Sequence, residues 1–248
     1  MIFVPTVNTF AAPRITPEAF VESVKKALGA KLVSAVLYGS AAAGDRLDKG
    51  SDYNVLLVVE PLGVDEMEAL SSATLRWTRA KNPAPRLFTP DELKRSCDVF
   101  PIEMLDMLQS HRILAGADVL SGIEISQANL RHQVEFELRG KVLRLRDGCV
   151  AAGTSKIALI RLMIGSFSSV MSVLRAALRL YQNEVPAGKM EALAGLEKYI
   201  KYDKKPFETI HAAKSGRRCI HRSDAKLLFA DYAKQLETIT AAVDALAR

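Results

Sequence analysis

An α+β protein, with a mixed-sheet α/β domain in its N-terminal half and an all-helical bundle in its C-terminal half, is what this 248-residue sequence predicts. Three observations carry that reading. Two Val- and Leu-rich runs, LVSAVLY at 32–38 and NVLLVVE at 54–60, stop at Gly39 and Pro61, as strands buried on both faces do. Helical spacing alternates with these and shorter apolar runs as far as residue 125. From Gln127 onward the strand signal ends and long helical stretches follow one another.

The elements follow in chain order. Residues 1–15 lack a basic region followed by an apolar run and a cleavage site, and read as a loose arm with no export signal. Thr16, Pro17 and Glu18 make a helix start, with a capping hydroxyl, proline at the first position and an early acid, and the helix runs to Leu28 before Gly29. Between the two strands, GSAAAGDRLDKGSD is rich in small and turn-forming residues and fits a short helix and a loop. Residues 64–80 read as a helix, LFT as a short third strand, and TPDELKRSC as another capped helix. FPIEMLDM, residues 100–107, is expected to be a strand, and His111 and Arg112 after Ser110 a polar loop with phosphate contact as its functional alternative. Helices are expected at 129–146, 154–183, 189–202, 205–213 and 223–247, with Pro186 ending the second. The polar SGIEIS connection divides a domain at 16–125 from one at 126–248.

Composition narrows the class. With 49% hydrophobic and 25% charged residues the chain is neither disordered nor fibrous. Cys97, Cys149 and Cys219 are odd in number and form no CxxC pair, which argues against a disulfide framework or a zinc knuckle and fits a reducing cytoplasm. The apolar window 157–174 is interrupted by Arg161 and four serines and reads as a core helix, so no membrane partner is expected. The net charge of +6 is divided unevenly: 13 Lys and Arg against 16 Asp and Glu up to residue 125 give −3, and 21 against 12 beyond it give +9. Arg139, Lys141, Arg144 and Arg146 crowd one helix of the basic half but do not share one face, and the aromatic residues do not interleave with them as a nucleic-acid platform requires. Lys156 and Arg161 are weaker phosphate candidates of the same kind.

The chemistry concentrates in LYGSAAAGDRLDKGSDYNVLLVV. A strand delivers Gly39 and Ser40 to a turn whose free amides and hydroxyl suit phosphate oxygens, and Ser51 and Asp52 precede the next strand. This segment resembles the signature of the nucleotidyltransferase superfamily related to DNA polymerase β, above all its small bacterial and aminoglycoside-modifying members: an apolar strand, GS, then SDxD and a second apolar strand. The likeness is close over residues 30–60, follows the order of elements over 61–110, and is one of general shape in the helical half.

The resemblance implies a magnesium-dependent enzyme that moves a nucleoside monophosphate from a nucleoside triphosphate, ATP for instance, to a hydroxyl on a small molecule or protein. Gly39, Ser40 and Ser51 would hold the nucleotide. Asp52 would be a carboxylate shared by two Mg2+ ions, with a second at position 54 and a third on a later strand. Glu103 is the first candidate for the third and for deprotonating the acceptor; Asp106 is the second. Position 54 departs from the pattern, because Asn54 offers magnesium a neutral amide oxygen where hard cations favour carboxylates. The alternative is therefore a catalytically inactive nucleotide-binding or regulatory protein of the same fold. In the aminoglycoside enzymes such a helical domain closes the cleft and selects the acceptor; nucleic acid is not an expected partner here, and a homodimer is allowed.

Overall fold

The computed structural model describes residues 15–39, 41–42 and 53–246. The chain divides into two compact units, Met1–Cys97 with Glu103–Glu124, and Asp98–Ile102 with Ile125–Arg248.

The first unit is built on a four-stranded mixed sheet of order β3-β2-β1-β4. Its strands are β1 (Leu32–Tyr38), β2 (Asn54–Val59), β3 (Arg86–Phe88) and β4 (His111–Gly116). β1 runs antiparallel to both β2 and β4, and β3 runs parallel to β2. Helix α1 (Pro17–Leu28) is capped by the Thr16 hydroxyl, which accepts from the Ala19 amide at 3.2 Å. Helix α2 (Val64–Arg79) begins where the Glu66 carboxylate accepts from the Gly63 amide at 2.8 Å and from Lys31 Nζ at 2.6 Å. These two helices cover one face of the sheet. Phe20, Val21, Val24 and Leu28 of α1 and Leu70, Ala73 and Trp77 of α2 bury Ala35, Leu37, Val55, Leu57 and Val59 between them. The opposite face carries Val36, Leu56 and Val58, all buried. That continuous apolar run on both faces is why the two central strands were so visible in the sequence.

Helix α3 (Pro90–Arg95) packs on β2 and β3 and has a full capping box, Thr89 Oγ1 accepting from Glu92 N at 3.2 Å and Glu92 Oε2 from Thr89 N at 2.9 Å. Residues 101–109 differ from the expected strand. They form helix α4 (Pro101–Gln109), with proline at its start, Glu103 in its first turn, and Met104 and Met107 buried at i, i+3 spacing. The strand lies after it: His111 and Arg112 begin β4, and Arg112 donates to Glu18 of α1 at 2.6 Å.

The second unit holds α5 (Gln127–Ala152), α6 (Lys156–Leu178), α7 (Lys189–Leu196), α8 (Lys205–Lys214) and α9 (Ala225–Asp244). Helix α6 is long and apolar enough to cross a membrane by length and composition. In the structure it packs against α5, α7, α8 and α9, burying Met163, Phe167, Val170, Met171, Leu174 and Leu178. The cations of α5 are drawn into ion pairs within this unit. Arg139 meets Glu135 at 2.8 Å and Asp244 at 3.2 Å, Arg146 meets Glu237 at 2.9 Å, and Lys141 and Arg144 flank Glu137 at 3.5 and 3.9 Å.

Candidate functional site

The site grows from the end of β1. Tyr38 is the last strand residue and pairs with Asn54 on β2 and His111 on β4. Gly39 continues the pairing by donating its amide to Ser110 O at 2.9 Å, then takes φ +81°, a conformation that glycine adopts without a Cβ penalty. The chain turns there, with the Ala42 amide donating to Gly39 O at 2.9 Å. A Cβ on Gly39 would lie 3.4 Å from Asn54 Nδ2, so the two family-motif positions that the structure describes stand side by side. Ser40, Ser51 and Asp52, the other three, lie outside the described residues.

The start of β2 is anchored from the side. The Tyr53 amide donates to Asn82 Oδ1 at 3.3 Å, and Asn82 in turn donates its side-chain amide to Trp77 O at 3.5 Å. Trp77 is fully buried, stacks on Phe20 with ring centroids 4.4 Å apart, and donates Nε1–H to Pro83 O at 2.7 Å. Packing of α2 thus sets where Asn54 enters the sheet.

Strand register decides what surrounds Asn54. Tyr38 is its partner on β1; Leu56, two residues along β2, shares its face; and Arg86 on β3 is the partner of Leu56. Tyr38, Asn54 and Arg86 therefore stand on one face of three adjacent strands, opposite to α1 and α2. Across β2, the Arg86 charge is within electrostatic reach of the Tyr38 hydroxyl. Burial raises the Tyr38 phenol above its ordinary range, Arg86 opposes that, and the negative charges of Asp106 and Glu103 add to it. Glu103 and Asp106 are thereby within electrostatic reach of the Tyr38 hydroxyl, at the same end of the sheet.

Glu103 sits on a helix and not on a strand as expected. None of the four described strands carries a carboxylate, and among the described residues no three Asp, Glu, His or Cys side chains converge as a metal site. On the face that Asn54 shares, β3 offers Arg86. That residue went unnoticed in the sequence because LFT announces a strand, while only the β2–β3 register reveals which face its first residue joins.

The sequence matches no family model and no curated protein. Its fold is similar to the crystal structure of spectinomycin adenyltransferase AAD(9) from Enterococcus faecialis with ATP and spectinomycin. The two chains are 13% identical, with a TM-score of 0.57 over 89% of this chain and 98% of that one. On this likeness the chain has a nucleotidyltransferase-type α+β fold.

Proposed function

We propose that the chain binds a nucleoside triphosphate at the Gly39 end of the sheet and is a nucleotidyltransferase, moving a nucleoside monophosphate to a hydroxyl of a small molecule or protein. The observation that supports it best is the adjacency of the Gly39 turn and Asn54, on a fold similar to that of an adenyltransferase solved with ATP. The Gly39 turn and the Ser40 and Ser51 hydroxyls hold phosphate oxygens. The acceptor oxygen attacks the α-phosphorus in line, the bond to the leaving pyrophosphate breaks, and the acceptor proton passes to Glu103.

The described residues do not fit a pair of magnesium ions. Asn54 is neutral, the described strands hold no carboxylate, and a guanidinium occupies the face where a second ion would need acids. Magnesium is accordingly proposed only as a single ion accompanying the triphosphate, with Asp52 as its protein ligand. A cytoplasmic setting belongs to the same proposal, since Cys97, Cys149 and Cys219 form no disulfide.

A second reading, nucleotide binding without transfer, is favoured by Asn54 and Arg86 together. The two are separated by pyrophosphate release from ATP with a panel of hydroxyl acceptors that includes spectinomycin. Transfer by a weakened site predicts slow release that rises at least about tenfold in Asn54→Asp, as a restored carboxylate adds metal affinity. ATP binding with no release from either protein would leave the binding reading standing and withdraw transfer.

A further inference from the structure

We propose that the Arg86 guanidinium takes over, toward the triphosphate, the charge-neutralising role that a second metal ion plays in two-metal transferases, so that nucleotide binding by this chain does not depend on divalent cations. The inference rests on the nucleotide site proposed above and adds to it the residue that neutralises the phosphates.

The argument is one of strand geometry. A second metal ion on this face would need carboxylates, and here the face carries an amide, Asn54, and, on the neighbouring strand, a cation, Arg86. Both changes act in the same direction. An amide withdraws the charge that would attract the ion, and a guanidinium on the same face repels it.

The positive charge is nonetheless kept. Arg86 is exposed at the start of the edge strand, on the same face as Asn54 and Tyr38, and its charge reaches the Tyr38 hydroxyl directly before Gly39. A guanidinium on this face presents a planar fork of N–H donors, which matches two phosphate oxygens at once. The neighbouring Tyr38 phenol, pushed up by burial, stays neutral and does not compete with phosphate for the charge of Arg86. Glu103 and Asp106 act electrostatically on the same hydroxyl, at the same end of the sheet.

The test is calorimetric titration of the full-length chain with ATP and, separately, with inorganic tripolyphosphate, each in EDTA and in magnesium. Wild type is compared with Arg86→Met, which keeps the apolar stem, and with Arg86→Lys, which keeps the charge and loses the fork; thermal melts check that each is folded. Wild type is expected to bind ATP in EDTA within about threefold of its affinity in magnesium. Arg86→Met should weaken that binding at least about tenfold and abolish the response to tripolyphosphate, with Arg86→Lys intermediate. Wild-type binding that vanishes in EDTA, or Arg86→Met titrating like wild type, overturns the inference while leaving the nucleotide site in place. Absence of ATP binding by wild type in both buffers removes the site reading itself, and this inference with it.

Discussion

Gly116→Ala is expected to destabilise the first unit by about 2–5 kcal/mol, an overpacking cost of about 1–3 kcal/mol added to about 1–2 kcal/mol for left-handed backbone. Gly116 ends β4 at φ +76°, and a Cβ there would sit 2.0 Å from Val33 O and 2.9 Å from Val33 C. Those atoms are fixed. Val33 O accepts from the Ala117 amide at 3.1 Å, and the buried Ser34 hydroxyl donates to Ala117 O at 2.7 Å. Relieving the overlap separates β4 from β1 and breaks both bonds. Gly122 supplies the control, having φ +76° but nothing within 4 Å of its Cβ position. Gly122→Ala should cost only about 1–2 kcal/mol, the strain of the left-handed backbone alone. Trp77 is the only tryptophan and lies in the first unit, so its fluorescence during urea unfolding reads the comparison directly. Equal losses for the two variants would contradict the packing described for Gly116.

Trp77→Ala is expected to cost about 3–5 kcal/mol, the usual range for truncating a fully buried large aromatic. It removes the stacking on Phe20 and orphans Pro83 O, and the helix it leaves behind holds Asn82 less firmly. Because Asn82 in turn fixes the Tyr53 amide at the mouth of β2, ATP affinity should fall along with stability. Trp77→Phe keeps the ring stack and lacks the indole donor, and should lose about half as much or less. Scanning calorimetry checks the order, with a fall in unfolding midpoint of roughly 10–20 °C expected for the alanine variant. A tryptophan replaced by alanine at no cost would mean that α2 does not organise this end of the sheet.

The parts of the fold legible in the sequence are those whose local chemistry and tertiary role agree. β1 and β2 are buried on both faces, so their composition alone announces them; α1 and α3 carry side-chain caps that mark their first residues. Residues 101–109 were ambiguous because Ile102, Met104 and Met107 fit a period of two nearly as well as one of 3.6 over so short a run. Burial of Met104 and Met107 settles the helix, and the sequence does not display burial. β4 escaped notice as an edge strand whose Arg112 leaves to pair with Glu18, so its polar start looks like a loop. At the candidate site, the closeness of Gly39 and Asn54 follows from two strands joined in order. The place of Arg86 depends on a parallel pairing between β2 and β3, separated by a whole helix, and no local signal carries that.

The most direct test of the central claim is calorimetric titration of the wild-type chain and of Gly39→Val with ATP in magnesium. Binding by wild type, together with a loss of affinity of at least about tenfold in Gly39→Val, is the predicted result for a nucleotide held at the Gly39 turn, whose φ of +81° a β-branched residue does not adopt. Wild type that takes up no ATP would contradict the account and leave the nucleotidyltransferase-type fold as architecture alone.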